Sequence, residues 1–198
     1  MKYPNGLKKE IHHETIYGNR GMDLENDINL TNAYYKEIKK AYIYKKPTPI
    51  KITKVDFPSK NKKVIKEAFF ESPSTTDYNG IYKGFYIDFE AKETISKTSF
   101  PLNNIHPHQI EHMKNIVLEK GICFIIVRFK TLNQTFLLKA EDLLSFIKEN
   151  ERKSIPLSYF LKKAYLIKDG YKPRIDYLKI VDLVYVNGGF LNAKTKEM

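Results

Sequence analysis

The feature that most constrains the fold is an almost unbroken run of apolar residues, Ile122–Phe129. A strand that is covered on both faces shows such a run, whereas a strand with one solvated face alternates between apolar and polar residues. Helix-like segments lie on either side of it along the chain, over 109–120 and over 140–149. Gly121 is expected to end the first of these helices. This alternation of helices and strands predicts an α/β fold with a mixed β-sheet flanked by helices.

The rest of the chain adds further predicted elements around this strand. Apolar residues at helical spacing predict a helix over 22–44, and the segment Pro47-Thr-Pro49 ends it. The dipeptide Lys83-Gly84 separates two strand-like runs and indicates a hairpin. The other predicted elements are strands over 50–58, 81–82, 85–92 and 135–138, and helices over 156–163 and 176–186.

The charge balance favours negatively charged partners. The chain has 34 Lys and Arg residues against 23 Asp and Glu residues, which gives a formal net charge of +11. Such an excess attracts polyanions, with nucleic acid as the first candidate and an anionic membrane surface as the second. A Lys-rich surface that reflects only biased genomic composition stays open as an alternative, because charge reports association rather than chemistry.

Cysteine content and hydropathy narrow the class of protein further. The single cysteine, Cys123, lies inside the apolar run and is predicted to be a core residue. One cysteine excludes a disulfide framework or a Cys-based zinc site within one chain. Met1–Gly18 lacks an apolar signal core, and no stretch is long and apolar enough to span a bilayer. We therefore expect a cytoplasmic, nucleoid-associated protein without a membrane partner.

One predicted strand carries an unusual row of charged residues, in the segment Ile87-Asp-Phe-Glu-Ala-Lys-Glu93. Alternate side chains of a strand point to opposite faces. The apolar residues at 87, 89 and 91 are therefore expected to face the core, and the other face then carries Asp88, Glu90 and Lys92. Neighbouring carboxylates repel each other unless a cation lies between them. A solvated strand face with a Lys–Glu pair is the alternative interpretation.

Oxygen ligands for a divalent cation can be assembled around this strand. Asp77 comes just before the hairpin that returns the chain to Glu90, and Thr75 offers a further hydroxyl or carbonyl oxygen. Such ligands suit Mg²⁺ or Mn²⁺ rather than zinc. Water bound to such an ion loses a proton more easily and can then attack a phosphodiester. Lys92 could orient that water or neutralise charge on the phosphorus. The pattern Asp…Glu-x-Lys occurs in metal-dependent nucleases but is weak alone, because random chains often match it.

Polar residues near the start of the helix over 109–120 allow more than one interpretation. His108 and His112 have the spacing of a zinc pair, but the chain offers no Cys ligand and no obvious third ligand. Together with His106, they are predicted instead to be polar residues of the helix start or of a DNA-facing surface. The amide oxygen of Gln109 could reach the metal or a water bound to it. Glu67, a further acidic residue upstream, is predicted to lie on the surface.

Basic and aromatic residues are interleaved before the predicted site. Lysines that neutralise phosphates would make DNA binding strongly dependent on salt. Most of the tyrosines are expected in the core or the sheet, although one or two could stack on an unpaired base. The lysines are Lys45, Lys46, Lys51, Lys54, Lys60, Lys62, Lys63 and Lys66, and the tyrosines are Tyr34, Tyr35, Tyr42, Tyr44, Tyr78, Tyr82 and Tyr86.

Several longer motifs follow one another along the chain. They are Tyr3-Pro-Asn-Gly6, Asn19-Arg-Gly-Met22, Lys45-Lys-Pro-Thr-Pro49, Val64-Ile-Lys-Glu-Ala68, Thr75-Thr-Asp-Tyr-Asn-Gly-Ile-Tyr-Lys-Gly84, Ile87-Asp-Phe-Glu-Ala-Lys-Glu-Thr94, Thr98-Ser-Phe-Pro-Leu102, His108-Gln-Ile-Glu-His-Met113, Gly121-Ile-Cys-Phe124 and Pro173-Arg-Ile-Asp-Tyr177. This ordered series resembles the RecU family of Holliday junction resolvases, which are restriction-endonuclease-like nucleases. The resemblance covers nearly the whole chain up to about Val186 and is far more specific than Asp…Glu-x-Lys alone.

The resemblance implies roles for individual residues. The family's metal ligands fall on Thr75, Asp77, Glu90 and Gln109, and its transition-state-stabilising lysine falls on Lys92. Asp88 matches a further acidic position, which makes Asp77, Asp88, Glu90 and Lys92 the implied catalytic set. A basic stalk, which in the family projects towards the centre of a four-way junction, falls on 58–74. The expected DNA contacts are Arg20, Lys60, Lys62, Lys63 and Lys66.

The residues and the resemblance together imply an organisation and an activity. We expect a mobile arm over 1–18, one nuclease domain over 19–187 that includes the stalk, and a disordered tail over 188–198. The resemblance implies a homodimeric, Mg²⁺-dependent endonuclease that resolves Holliday junctions by paired symmetric nicks in homologous recombination and DNA repair, and that modulates the RecA recombinase. Two alternatives stay open: a non-catalytic junction-binding architectural protein that regulates RecA, and a restriction enzyme that recognises a duplex sequence.

Overall fold

The computed structural model of the chain describes residues 22–60, 62–70 and 75–190. The helices are α1 (Met22–Glu37), α2 (Pro107–Leu118), α3 (Ala140–Glu149), α4 (Leu157–Lys163) and α5 (Tyr177–Val181), which a π-helical segment (Asp182–Phe190) continues. The strands are β1 (Tyr42–Lys45), β2 (Ile50–Ser59), β3 (Lys62–Phe70), β4 (Tyr78–Tyr82), β5 (Phe85–Thr94), β6 (Ser99–Pro101), β7 (Ile122–Phe129), β8 (Gln134–Lys139), β9 (Ser154–Pro156) and β10 (Tyr165–Ile167). The predicted arm over 1–18, Arg20 and the tail beyond 190 lie outside the described residues.

Six strands form a mixed sheet in the order β1-β4-β5-β7-β8-β10. β5 and β7 are parallel, and the other neighbouring pairs in this sheet are antiparallel. The long connection between β5 and β7 contains α2, since a connection between parallel strands must cross the sheet. The predicted α/β class, a mixed sheet flanked by helices, is therefore confirmed.

Helices cover both faces of the sheet, and each face has its own core. On one face, α1 and α5 enclose a cluster that includes Leu24 and Phe89. On the other face, α2, α3 and α4 enclose a cluster that includes Met113 and Phe160. Every residue of β7 is buried, and its side chains alternate between the two clusters, as the apolar run predicts. Cys123 lies in the second cluster, so its predicted place in the core is confirmed.

Two predicted helices have different ends in the structure. The helix predicted over 22–44 stops at Glu37, where Lys39 adopts a φ of 55° and the amide of Lys40 donates to the carbonyl of Tyr35. Such a left-handed residue is a common way to end a helix, and the aromatic and β-branched residues that follow favour the extended strand β1. The helix predicted over 176–186 is a short α5 followed by the π-helical segment.

Strands β2 and β3 form a separate two-stranded antiparallel ribbon. Its side chains are almost all exposed, including the apolar residues Phe57, Phe69 and Phe70. The part of the chain that was predicted to form a stalk over 58–74 belongs to this ribbon, which already begins at Ile50 because β2 pairs with β3 from that residue onwards. Asn61 and residues 71–74 lie outside the described residues.

Candidate functional site

The hairpin of β4 and β5 brings Asp77 and Glu90 together. Lys83 and Gly84 both have positive φ, at 50° and 82°, as a tight two-residue hairpin turn requires. The resulting register pairs Tyr78 with Phe89, so the residue before β4 lies beside Glu90. The amide of Asp77 donates to Oε2 of Glu90 at 3.1 Å, and Oδ2 of Asp77 accepts from the amide of Ala91 at 3.2 Å. Two acidic residues that are distant along the chain therefore share one location.

Glu90 is a buried carboxyl group beside the ammonium of Lys92. Burial, followed by the negative charge of Asp77, raises the pKa of Glu90 to about 8, although nearby Lys92 opposes this shift. The Nζ atom of Lys92 lies 2.6 Å from Oε1 of Glu90. This ammonium neutralises charge at Oε1. A buried carboxylate oxygen that attracts one cation in this way can also bind a metal ion.

A small cleft adjoins this pair, and Asp77 lines it. It has a volume of about 230 Å³. Its lining residues are Leu24, Glu25, Asp77, Tyr78, Ala91, Lys92 and Glu93. Sequence reasoning did not single out Glu25 or Glu93, which come from α1 and from the end of β5. Glu25 pairs with Lys45 at 2.5 Å, and Glu93 pairs with Lys130 at 3.1 Å. These lysines largely neutralise both carboxylates, and Lys92 contributes an ammonium to the lining of the cleft.

Thr75 and Gln109 lie together, but their oxygens already accept hydrogen bonds. The side-chain amide of Gln109 donates to the carbonyl of Thr75 at 3.0 Å. Its Oε1 accepts from the amide of His106 at 3.0 Å, which caps the start of α2. The hydroxyl of Thr75 accepts from Lys46 at 3.1 Å. In this arrangement Gln109 holds the loop of Thr75 against α2, and its role as a metal ligand stays a prediction.

Asp88 lies on the same face of β5 as Glu90, but it belongs to a different cluster of contacts. Its carboxylate accepts hydrogen bonds from Lys46 at 2.7 Å, from Tyr86 at 2.8 Å and from Thr76. The Nε2 atom of His112 also lies 3.3 Å away. The Asp88 side chain has no exposed surface. Its oxygens are therefore engaged by the protein itself, which favours a supporting role over direct contact with a metal.

Lys46 connects these two groups of residues. Its backbone amide donates to the carbonyl of Asp77 at 2.8 Å. Its ammonium donates to Thr75, Thr76 and Asp88. Lys46 therefore holds the loop that carries two predicted ligands against β5. Sequence reasoning noted it only among the basic residues. The signal that could have found it is its place just after β1, in the motif Lys45-Lys-Pro-Thr-Pro49.

The histidines do not assemble a zinc site in the described part of the chain. The rings of His106 and His108 stack at a centroid distance of 5.4 Å at the start of α2. His112 instead faces Asp88 and Lys46. No group of three His, Cys, Asp or Glu side chains in residues 22–60, 62–70 and 75–190 is arranged to hold a metal ion. Any metal at Asp77 and Glu90 therefore needs other oxygen ligands, including water.

Four of the predicted DNA contacts lie on the two-stranded ribbon. Lys60, Lys62, Lys63 and Lys66 are exposed on the ribbon or at its turn. Lys66 pairs with Asp56 at 2.7 Å, and Lys63 lies 5.9 Å from the ring centroid of Phe57. The exposed position of Glu67 on β3 agrees with its predicted place on the surface.

Comparison with known proteins identifies the family of this chain. Residues 19–183 match the family model that is described as Recombination protein U, RecU. The chain belongs to the RecU family. A relative from Geobacillus sp. (strain WCH70) is 51% identical over 196 residues, which cover 93% of this chain and 98% of that protein. Another, from Staphylococcus aureus (strain MRSA252), is 52% identical over 197 residues, which cover 92% and 95%. Both relatives carry the name Holliday junction resolvase RecU.

A solved structure with a weaker likeness is that of Hjc from Archaeoglobus fulgidus, described as a Holliday junction resolvase. The TM-score is 0.39 with 10% sequence identity, and the match covers 72% of this chain and 93% of Hjc. None of the helices described in the present chain is both long and apolar enough to cross a membrane.

Proposed function

We propose that this chain is a Holliday junction resolvase, an endonuclease that hydrolyses phosphodiesters in a four-way DNA junction with the help of Mg²⁺. Membership of the RecU family and the names of its relatives support the choice of substrate. The observation that carries the hydrolytic chemistry is the contact between Asp77 and Glu90 beside the ammonium of Lys92.

The residues at this site fit a hard divalent cation. Oε1 of Glu90 is buried and already attracts a cation, the ammonium of Lys92 at 2.6 Å. Asp77 lines the adjoining cleft, and its charge helps to raise the pKa of Glu90, a repulsion that a cation would relieve. Thr75 and Gln109 would contribute further oxygens if these gave up the hydrogen bonds that they now accept, and water would complete the shell that Mg²⁺ prefers. Asp77, Glu90, Thr75 and Gln109 are therefore the proposed ligands.

The residues of the chain position the reacting groups. When bound, Mg²⁺, or Mn²⁺ in its place, would supply an acidified water and neutralise negative charge. Lys92 lines the cleft and can pair with a phosphate oxygen that enters it. Asp77 and Glu90 present their carboxylates on a rigid hairpin. Asp88 acts on the site through Lys46, which holds the loop of Thr75 and Asp77 in place.

The proposed partners follow from the geometry of the substrate. Resolution of a four-way junction needs cuts in two strands related by symmetry, and a homodimer supplies two copies of the site. We propose that the protein acts as a homodimer that makes paired symmetric nicks in homologous recombination and DNA repair. The lysines of the ribbon would neutralise phosphates of the junction. Modulation of RecA is proposed from the family resemblance.

A synthetic four-way junction tests this proposal with and without Mg²⁺. The wild-type protein should produce symmetric nicks only when Mg²⁺ is present. Asp77→Asn and Glu90→Gln should abolish cleavage while junction binding is kept, because each removes a carboxylate from the proposed metal site. Glu149→Gln is the matched control, since Glu149 is exposed at the end of α3 and should not affect cleavage.

Each alternative gives a different result in this assay. Wild-type cleavage rates for Asp77→Asn or Glu90→Gln would show that the site assignment is wrong. Junction binding without cleavage at any Mg²⁺ concentration would favour a non-catalytic architectural protein. Symmetric cuts at one sequence in linear duplex DNA would favour a restriction enzyme.

A further inference from the structure

Part of the sheet face that carries Asp88 is not covered by any element that the structure describes. On this face, α2 packs against β5 and β7, and α3 packs against β7 and β8. Towards the other edge of the sheet, Tyr42 and Tyr44 of β1 and Tyr86 of β5 are 56%, 47% and 39% exposed. We call these three residues the tyrosine platform.

The register of the strands makes this platform continuous. Tyr42 pairs with Ile81, and Ile81 pairs with Tyr86, so these three side chains form one row across the sheet. Tyr44 pairs with Asn79, and Asn79 pairs with Asp88, which forms the next row on the same face. The intervening residues on these strands turn towards the core on the opposite face. The platform therefore lies beside the buried side chain of Asp88 on the same face of the sheet.

Side-chain contacts join the platform to the candidate site. The hydroxyl of Tyr86 donates to Oδ2 of Asp88 at 2.8 Å and accepts from the side-chain amide of Asn79 at 3.1 Å. The rings of Tyr42 and Tyr44 lie with their centroids 5.9 Å apart. Lys46, which follows β1 directly, contacts the same oxygen of Asp88. A molecule bound on the platform would therefore touch the residues that support the loop of Thr75 and Asp77.

The charges around the platform favour a polyanion. The Nζ atom of Lys36 lies 5.2 Å from the centroid of the Tyr42 ring. The formal net charge of +11 attracts nucleic acid. Exposed aromatic rings beside cations are the usual surface on which single-stranded nucleic acid binds, because every base offers a flat π-face. Paired bases inside a duplex are already stacked and cannot use such a surface.

We propose that the tyrosine platform binds unpaired nucleotides of the DNA strand that enters the candidate site, by stacking of their bases on Tyr42 and Tyr44. This inference rests on the proposed function. The bases of a four-way junction are paired, but the pairs at an open branch point lack a stacking neighbour on one side, so a bound protein can open them next to the phosphate that is cut. The platform would hold the strand on one side of the cleft while the lysines of the ribbon neutralise phosphates elsewhere. It distinguishes branched DNA from duplex DNA.

The test compares equilibrium binding of two substrates in the absence of Mg²⁺, so that no cleavage is needed. One substrate is a four-way junction with the fluorescent base 2-aminopurine at the branch point, and the other is a duplex of the same sequence. The variants are Tyr42→Leu/Tyr44→Leu, which keeps apolar side chains but removes the rings, and Tyr42→Phe/Tyr44→Phe, which keeps the rings. Tyr171→Leu is the control, since Tyr171 is 94% exposed and lies outside the platform.

The leucine variant should bind the junction about 5- to 100-fold more weakly, the range expected for the loss of base stacking. Duplex affinity should not change, and neither should the dependence of junction affinity on salt, because no phosphate contact is removed. The phenylalanine variant and Tyr171→Leu should bind like the wild type. The wild type, but not the leucine variant, should change the fluorescence of the 2-aminopurine.

Three results would overturn the proposal. Equal losses on junction and duplex would show that the tyrosines do not recognise unpaired bases. Wild-type junction affinity in the leucine variant would show that they do not bind DNA. A change in sedimentation of the DNA-free leucine variant would show that the platform contacts a second copy of the chain instead. If the wild type binds the junction but never cuts it with Mg²⁺, the proposed activity fails, while these binding comparisons still decide the role of the platform.

Discussion

Replacement of Lys46 with methionine should destabilise the protein strongly, because it leaves a buried charge without its partner. The side chain of Asp88 has no exposed surface, that of Lys46 is 14% exposed, and 2.7 Å separates Nζ from Oδ2. Removal of one partner from a buried ion pair costs about 3–5 kcal/mol. The hydrogen bonds that Asp88 accepts from Tyr86 and Thr76 remain and limit the loss to this range. At about 2–4 °C per kcal/mol, the Tm should fall by about 6–20 °C.

Thermal and urea unfolding followed by circular dichroism, without metal, measure this effect. Lys66→Met is the matched control, because its ion pair with Asp56 has the same 2.7 Å distance but side chains that are 56% and 49% exposed. A surface pair of this kind contributes at most about 1 kcal/mol. Lys46→Met combined with Asp88→Asn should recover much of the stability, since neither charge is then buried alone. If Lys46→Met costs no more than the control, the buried ion pair does not exist.

Three further predictions use other parts of the structure. The metal-free protein should lose roughly 3–5 kcal/mol of stability as the pH rises from about 5 to 8. The folded state keeps Glu90 protonated up to its pKa of about 8, whereas the unfolded chain releases this proton near 4.5. Urea unfolding across this range should show a much smaller slope for Glu90→Gln, and an unchanged slope in that variant would contradict the pKa. Gly80→Ala should cost about 1–3 kcal/mol or more, because a Cβ atom there would overlap the backbone of Tyr42 on β1; a wild-type melting curve would argue against the β1–β4 pairing. Lys62→Ala/Lys63→Ala should weaken junction binding more than duplex binding and lower the log–log salt slope by about 2, whereas equal losses on both substrates would count against a stalk at the junction.

The residues of the sheet explain why its centre could be predicted from the sequence. The apolar run Ile122–Phe129 is typical of a strand that is covered on both faces, and its neighbours along the chain have helical spacing. The turn Lys83-Gly84 adopts the positive φ values that a short hairpin needs, so the approach of Asp77 to Glu90 follows from local rules. The buried strand and the hairpin turn each depend on residues that are close in sequence, so local sequence patterns predict them.

The support of the site depends on contacts that no local pattern contains. Lys46 directly follows β1 and reaches Asp88 on β5 across the strand between them, β4. This contact requires that β1 is a strand and not the end of the predicted helix. The apolar spacing that predicts α1 continues into β1 without a break, so the turn at Lys39 was missed. Glu25 joins the cleft through the packing of α1 on the sheet. The end of α1 and the roles of Lys46 and Glu25 share one explanation. The local spacing of apolar residues fits more than one structure, and tertiary packing selects the one that forms.

The central claim is that Asp77 and Glu90 bind one hard divalent cation, and crystals soaked in Mn²⁺ test it most directly. An anomalous difference map should show a single strong peak between the carboxylates of these two residues, within coordination distance of Oε1 of Glu90. The same peak should be absent in crystals of Glu90→Gln. Occupancy at any other carboxylate cluster, with none between Asp77 and Glu90, would contradict the account.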